Sequence, residues 1–379
     1  MSGDREGSRG GTSEAGGDTA WRRVPVTLAL ILVIAAVLVA PGCRPSTRGG
    51  GGMGALVAVE TATAEDVCTE AVNPLDGEVV EDQGLLRRRV LAVKVENDPA
   101  ARPQSGVADA EVVIEEMVEG GITRFICLYL AHESPVIGPT RSVRPTDMDV
   151  LHFLQPLLAF SGGAPQVMEM VKSSGIMYVT EDSPCFWRDR KRPVPHNLYT
   201  STSRLREYLQ ERGDQSEGIA ASGLDFREPA GDASTQEEGI ARMIIPAGTV
   251  DIPYESGCAV RYRYDPARDA YLRFVQGKPH TDKESGQQLA PRNVVLQFVQ
   301  LTSSGVRDVL GAESPNSMVI GSGRCAVFTG GEIIVGTWVK NGRDEPTRYY
   351  DLAGQEIGLN PGQTWVHLVP NNLETTFLP

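Results

Sequence analysis

The sequence predicts an α+β protein, with a mixed sheet and packed helices in an amino-terminal domain and a β-rich carboxy-terminal domain. Before residue 213, segments rich in β-branched and aliphatic residues alternate with segments whose apolar residues have helical spacing. After residue 240, short alternating runs are separated by turns rich in Gly, Pro and Asn. Residues 213–240 are rich in Gly, Ser, Asp and Glu, which is typical of a linker or an insertion between domains.

Composition limits the class of protein. The 379 residues are 41% hydrophobic and 22% charged, as expected for a folded chain. The net charge of -13 argues against broad nucleic-acid binding, because phosphate backbones require a clustered basic surface. The six cysteines form no Cys-x-x-Cys pair, so neither a zinc site nor a thioredoxin-type redox motif is supported. We also expect no cofactor.

Residues 1–43 are predicted to be a signal peptide with a lipobox-like end. Two arginines precede an unbroken apolar run at 28–40, and Pro, Gly and Cys43 follow it. A small residue before a cysteine resembles the lipobox at which bacterial lipoprotein precursors are cleaved and acylated, although Ala40 stands where a leucine is usual. We therefore expect a lipid on Cys43 to hold the chain on the extracytoplasmic face of the cell membrane.

Two alternatives to lipidation remain at this terminus. One is an uncleaved membrane anchor over residues 24–42, and the other is a signal peptide cut at a different position. Residues 44–73 contain few large apolar side chains, so they are predicted to form a flexible tether. With Cys43 set aside, five cysteines are left, which permits at most two disulfides in pairings that the sequence does not assign.

Residues 74–212 are predicted to form the α/β amino-terminal domain. The strand-like segments, which are rich in β-branched and aliphatic residues, are 89–95, 111–118, 123–131 and 156–160. The helix-like segments, which have apolar residues at helical spacing or a proline near their first position, are 146–155, 165–174 and 201–213. A Gly120-Gly121 turn joins the second and third strands.

Residues 241–379 are predicted to form the β-rich domain. Alternating runs occur at 259–264, 271–275, 294–299, 325–339 and 364–368. The aromatic residues of these runs recur at strand spacing, so we assign them to packing and not to a sugar-binding surface. They are Tyr262, Tyr264, Phe274, Trp338 and Trp365.

Several blocks that occur in one order resemble the YerB-like family of bacterial lipoproteins. The blocks are VEN at 95–97, ARPQSG at 101–106, EGGITR at 119–124, GPTRSVR at 138–144 and PHNLY at 195–199, followed by Gly277, Pro279-His280, Asp282, NVV at 293–295 and GTW at 336–338. The resemblance covers the chain from about residue 73. It implies an α+β lipoprotein with a distinct carboxy-terminal part, and it implies no established reaction, cofactor or catalytic residue.

An anion-binding site is the strongest functional hypothesis. Four arginines fall in or beside glycine and proline turns, where their guanidinium groups can converge: Arg102, Arg124, Arg141 and Arg144. A turn before a predicted helix, at Ser161 and Gly162, offers backbone N–H groups to the same anion. Convergence of these groups would bind a carboxylate or a phosphate.

Polar side chains at predicted loops complete the candidate set. Asn97, His196 and Asn197 are expected to orient a polar ligand, with His196 as a possible general base. In a structural alternative, these groups hold turns, the glycines permit them, and the arginines pair with nearby acids. The candidate acids are Glu115, Glu116, Glu119, Asp147 and Asp149.

Other catalytic patterns are weak. The chain lacks a Gly-x-Ser-x-Gly elbow, and nothing in the sequence shows that Cys185 and His196 meet. His280 and Asp282 are two residues apart, as metal ligands on a strand can be, but loop stabilisation is the preferred interpretation and no metal site is expected.

These observations favour an extracytoplasmic binding or accessory lipoprotein that takes an anionic small molecule or contacts an envelope protein. One alternative is a cell-envelope hydrolase or transferase with His196 in an arginine-lined cleft. A second alternative is a purely structural interaction module. The three differ in geometry, because a scaffold can leave the arginines scattered, whereas a ligand site requires them to meet.

Overall fold

A computed structural model describes residues 71–219, 221–227, 244–308 and 311–379. The predictions for the signal peptide, for Cys43 and for most of the tether lie outside these residues, as does part of the linker. Within the described ranges, no helix combines the length and apolar character that crossing a membrane requires.

Strands dominate the described residues. The first ten are β1 (Ala71–Val72), β2 (Val79–Val80), β3 (Leu91–Glu96), β4 (Val112–Met117), β5 (Thr123–Tyr129), β6 (Leu157–Phe160), β7 (Met177–Thr180), β8 (Trp187–Arg188), β9 (Leu198–Tyr199) and β10 (Asp225–Phe226). The others are β11 (Ile244–Pro246), β12 (Thr249–Ile252), β13 (Val260–Asp265), β14 (Ala270–Val275), β15 (Lys278–Pro279), β16 (Asn293–Arg307), β17 (Glu313–Met318), β18 (Gly321–Thr329), β19 (Glu332–Lys340), β20 (Arg348–Asp351), β21 (Gly358–Leu359), β22 (Thr364–Pro370) and β23 (Thr376–Leu378).

The described α-helices are α1 (Pro145–Leu151), α2 (Pro165–Ser174) and α3 (Thr202–Glu211). The predicted helix 146–155 is shorter than expected, because α1 ends at Leu151 and a single 3₁₀ turn follows it. Helix α2 begins with a proline at its first position and is capped after Ser174 by Gly175, whose φ of 79° is unstrained only for glycine. The Ser201 side chain accepts a hydrogen bond from the Arg204 N–H and so caps α3.

The predicted mixed sheet is confirmed, and strands from both predicted domains belong to it. Ten of its strands run in the order β11, β19, β18, β16, β22, β4, β5, β3, β6 and β7. In addition, β17 pairs with β16 and β20 pairs with β19. Strand β22 lies parallel to both β16 and β4, with Thr364 opposite Val112. More of the described residues lie in strands, and fewer in helices, than the predicted α+β class suggests.

Both faces of the central sheet are covered. Helices α1 and α2 bury Met148, Leu151, Val167 and Val171 on one face. Helix α3 covers the other face, together with a five-stranded sheet in the order β15, β14, β13, β12 and β23. Because both faces are covered, every residue of β3 is buried.

The predicted packing of the aromatic residues is confirmed for Trp338, Trp365 and Tyr262, which are buried. Tyr264 and Phe274 are half-buried. The four cysteines in the described part of the chain are buried free thiols, so they form no disulfide with one another: Cys127, Cys185, Cys258 and Cys325.

Candidate functional site

Three neighbouring strands, β4, β5 and β3, place charged side chains on one face of the sheet near the Gly120-Gly121 turn. Alternation along β3 puts Val93 and Val95 in the core beside α3, and Ala92 in the core beside α1 and α2. Lys94 and Glu96 therefore share the face of Ala92. The same alternation places Glu116 of β4 and Arg124 of β5 on this face, and Arg124 lies opposite both Glu96 and Glu116 in the strand register.

The loop 138–144 lies along β3 and brings two more arginines to this face. The Glu96 N–H donates to the Pro139 carbonyl oxygen at 2.9 Å, and the Arg141 N–H donates to the Lys94 carbonyl oxygen at 3.0 Å. These bonds extend the sheet by one irregular strand. We call Arg124, Arg141 and Arg144, with Glu96, Glu119 and His196, the arginine cluster.

Glu96 joins two members of the arginine cluster. Its side chain is 2% exposed, and its Oε1 accepts a hydrogen bond from Arg141 Nε at 2.7 Å. Its Oε2 lies 2.9 Å from His196 Nδ1. The Arg141 side chain is 27% exposed, so its guanidinium connects the buried carboxylate with solvent.

Arg144 is neutralised inside the protein. Its Nε and one terminal nitrogen donate to Glu119 Oε2 at 2.9 and 2.5 Å, and Ser314 donates to the other carboxylate oxygen of Glu119. Burial favours the neutral acid, but Arg144 outweighs it and lowers the pKa of Glu119. This pair matches the structural alternative, and it leaves Arg144 little capacity for a ligand.

Arg124 has no such partner. Its side chain is 6% exposed; one terminal nitrogen donates to the Ser142 carbonyl oxygen at 3.1 Å, and its buried Nε finds no hydrogen-bond acceptor. Within the described ranges, no carboxylate forms an ion pair with it. Burial, followed by the charges of Arg144 and Arg141, lowers the pKa of Arg124 to about 9.

A buried charge network adjoins the arginine cluster. Lys94 Nζ lies 2.6 Å from Glu116 Oε1 and 2.8 Å from Asp147 Oδ1. Asp147 Oδ2 also accepts a hydrogen bond from the Arg144 N–H, which fixes the start of α1. Burial and the neighbouring Asp147 carboxylate raise the pKa of Glu116 to about 7.

The turn at Ser161 and Gly162 is hydrogen-bonded to the loop that carries Arg141. The Ser161 N–H donates to the Arg141 carbonyl oxygen at 3.0 Å, and the Gly162 carbonyl oxygen accepts from the Val143 N–H at 3.1 Å. The Ser161 N–H, predicted to face an anion, is thus used within the protein. The turn positions the backbone of the arginine loop.

Three predicted site residues lie away from the cluster and hold loops. Asn97 is on the opposite face, where its Nδ2 donates to Thr123 Oγ1 at 2.7 Å and its Oδ1 accepts from Arg102 Nε at 3.0 Å. Arg102 also donates to the Gly257 carbonyl oxygen. Asn197 Oδ1 accepts a hydrogen bond from Arg188 at 2.8 Å, within the β8–β9 hairpin.

The opposite face carries a second buried polar group that the sequence analysis missed. Arg273 donates to Glu115 Oε2 at 2.8 Å and to His280 Nδ1 at 3.0 Å, and all three side chains are buried. Asp282 Oδ2 accepts from the Val107 N–H at 2.9 Å. His280 and Asp282 therefore stabilise loops, as predicted.

Glu96 and Lys94 were also missed. Both stand within the strand sequence LAVKVE, where a charge interrupts an apolar run. Such an interruption in a fully buried strand is the signal that would have identified them, because a buried charge requires a partner.

Most of the described region is similar to known proteins. Residues 75–215 match the family model "Protein of unknown function (DUF3048) N-terminal domain", and residues 250–366 match the corresponding C-terminal domain. The chain is 29% identical over 313 residues to "Putative lipoprotein YerB" of Bacillus subtilis (strain 168), covering 81% of this chain and 88% of that protein. The crystal structure of YerB from Bacillus subtilis superposes with a TM-score of 0.68 at 25% identity, covering 82% of this chain and all of the other.

Proposed function

Because the chain belongs to the YerB-like family and carries both of its DUF3048 domains, we propose that it is a lipid-anchored extracytoplasmic protein that binds a small anion at the arginine cluster. The lipoprotein name of the Bacillus subtilis relative supports the anchor. So does the lipobox-like end of the segment before Cys43.

The unpaired buried guanidinium of Arg124 is the observation that carries the anion proposal. A buried guanidinium without a direct ion pair is costly, and the nearby Glu119 and Glu96 carboxylates compensate it only in part. Arg141 stands beside it and reaches solvent, which gives an anion a route to the cluster. An anion that contacts both guanidinium groups would supply a direct partner.

The charge balance supports the same conclusion. Four cations, Lys94, Arg124, Arg141 and Arg144, face the acids Glu96, Glu116, Glu119 and Asp147. Because the pKa of Glu116 is raised to about 7, this acid is partly neutral at physiological pH. The group then carries a small net positive charge, which favours an anionic ligand.

A second candidate function rests on His196. Its Nδ1 faces the buried carboxylate of Glu96, which is the arrangement that orients the imidazole of a general base. A cell-envelope hydrolase or transferase would use this pair, with Arg141 holding the substrate. In that case His196→Ala would abolish turnover of an envelope substrate.

Thermal unfolding of the full chain in detergent tests the anion proposal. The probes are inorganic phosphate and succinate at constant ionic strength, with sodium chloride as the reference. Either probe should raise the Tm of the wild-type protein by several degrees, and Arg141→Gln should abolish the increase. The matched control is Arg348→Gln, which removes a half-exposed arginine paired with Glu356 and should retain the response.

A Tm that neither probe changes, or a response that survives in Arg141→Gln, would contradict the anion site. The interaction-module alternative would then be favoured, and chemical crosslinking in intact cells would identify an envelope partner.

A further inference from the structure

Three potential metal-ligating side chains meet at the other end of the β4–β5 hairpin. Asp76, Glu111 and His132 each offer one ligand atom, and these atoms lie within 4.8 Å of one another. Glu111 directly precedes β4, and His132 follows the end of β5. Since the seven residues of β5 span about 20 Å, this group is separate from the arginine cluster.

The hydrogen bonds of Glu111 fall mainly on one carboxylate oxygen and leave the other available. Its Oε1 accepts hydrogen bonds from the N–H groups of Ala131 at 2.6 Å and His132 at 2.8 Å, and from Asn73 Nδ2 at 3.2 Å. Its Oε2 accepts only a longer bond, 3.1 Å, which Leu130 shares between both oxygens. Oε2 is therefore the oxygen that remains available to bind a ligand.

Asp76 provides the second, independent observation. Its residue is fully buried, and its Oδ1 accepts a hydrogen bond from the Glu78 N–H at 3.0 Å. Its Oδ2 is buried without a hydrogen-bond partner and lies 3.4 Å from His132 Nε2. A buried oxygen of this kind requires a proton or a cation.

His132 completes the group and leaves it accessible. Its side chain is 41% exposed, so an ion can enter from solvent on this side. Its Nε2 also lies 3.8 Å from Glu78 Oε2, and Glu78 is half exposed and able to move closer as a fourth ligand. The set then contains three carboxylates and one imidazole.

We propose that Asp76, Glu111 and His132 bind one divalent transition-metal ion, with Zn²⁺ as the best fit. Carboxylate and imidazole ligands together suit Zn²⁺ and Mn²⁺, whereas Ca²⁺ takes oxygen ligands alone. Among these ions, Zn²⁺ binds nitrogen and oxygen ligands more tightly than Mn²⁺. The ion would fasten the β1–β2 ribbon, which contains Asp76 in its turn, to the central sheet.

Calorimetric titration of the full chain in detergent tests this site after metal removal with a chelator. ZnCl₂ should bind at one ion per chain, more tightly than MnCl₂, and CaCl₂ should give no heat above dilution. His132→Ala should weaken Zn²⁺ binding at least tenfold, because it removes the only imidazole of the group. The matched control is His152→Ala, which removes a histidine paired with the exposed Asp344 and should leave Zn²⁺ binding unchanged.

A second variant distinguishes the loss of metal binding from a folding defect. Asp76→Asn keeps an oxygen that can accept the Glu78 N–H, but it removes the ligand charge. It should remain folded by circular dichroism and lose the increase in Tm that Zn²⁺ gives the wild-type protein. Equal Zn²⁺ affinity in His132→Ala and the wild-type protein, or far less than one ion per chain, would overturn the proposal.

Discussion

His196 Nδ1 lies 2.9 Å from Glu96 Oε2, although the two residues are 100 positions apart in the chain. The contact fastens the loop before β9 to the end of β3. It also fixes which oxygen of Glu96 remains for Arg141. The orientation of the solvent-facing guanidinium is thus set by a histidine from a different part of the fold.

Arg124→Met should stabilise the protein. The substitution replaces an unpaired buried cation with an apolar side chain of similar length, so we expect the free energy of unfolding to rise by about 1–2 kcal/mol. The same variant should lose the Tm response to phosphate. Urea unfolding in detergent measures the first effect.

The matched comparison is Arg144→Met. This change leaves Glu119 buried without its cation, so it should lower the free energy of unfolding by about 3–5 kcal/mol. Equal destabilisation by both variants would mean that Arg124 has a strong internal partner, which would remove the main support for the anion site.

Stability should depend on pH through Glu116. The pKa of this acid is about 7 in the folded protein and 4.5 ordinarily, so the folded state binds the proton more tightly. Its stabilising contribution is therefore present below pH 4.5 and is lost as the pH rises towards 7. Glu116→Gln should remove this loss, which is on the order of 3 kcal/mol.

Urea unfolding at several pH values between 4.5 and 8 checks this prediction, and only the difference between variant and wild type is used. The subtraction is necessary because the pKa of Asp76 is raised in the same direction and contributes to the total. Parallel pH profiles for the two proteins would show that Lys94 holds Glu116 ionised throughout.

The buried pair on the opposite face should be much more sensitive than a surface pair. Glu115→Gln leaves Arg273 buried without a carboxylate, so a loss of about 3–5 kcal/mol is expected. Arg261→Ala removes an exposed pair with Asp251 and should cost less than about 1 kcal/mol. The two unfolding midpoints in urea give the comparison, and similar losses would refute it.

Lipidation predicts a defined mass for the mature amino terminus. Protein from the membrane fraction should carry a diacylglyceryl group on Cys43, and Cys43→Ala should release the chain from the membrane or mislocalise it. Mass spectrometry of the intact protein makes the measurement. A mass that includes residues 1–43 would instead support an uncleaved membrane anchor.

The sequence predicted the strands that carry the arginine cluster, because their apolar alternation is a local property. It also predicted that arginines would converge, and Arg144 and Arg141 lie close enough to Arg124 for their charges to lower its pKa. It grouped Asn97 and Arg102 with them, although Asn97 follows Glu96 directly and so points to the opposite face of the sheet. Proximity along a strand does not imply a shared face.

Other features depend on contacts that no local pattern records. Asp76, Glu111 and His132 meet only because the chain after β5 turns back over the Glu111 carboxylate. Arg273 reaches Glu115 only because the five-stranded sheet packs on the central one. Both arrangements join residues from distant parts of the sequence, and a single chain without aligned relatives gives no signal for such pairs.

The position of β22 has a consequence for the order of folding. This strand lies between β4 and β16. On that side of β4, Val112 pairs with Thr364 of β22. One edge of β4 therefore stays open until residue 370 has been synthesised. Pairing over so long a separation is slow, which delays closure of the central sheet until the whole chain is available.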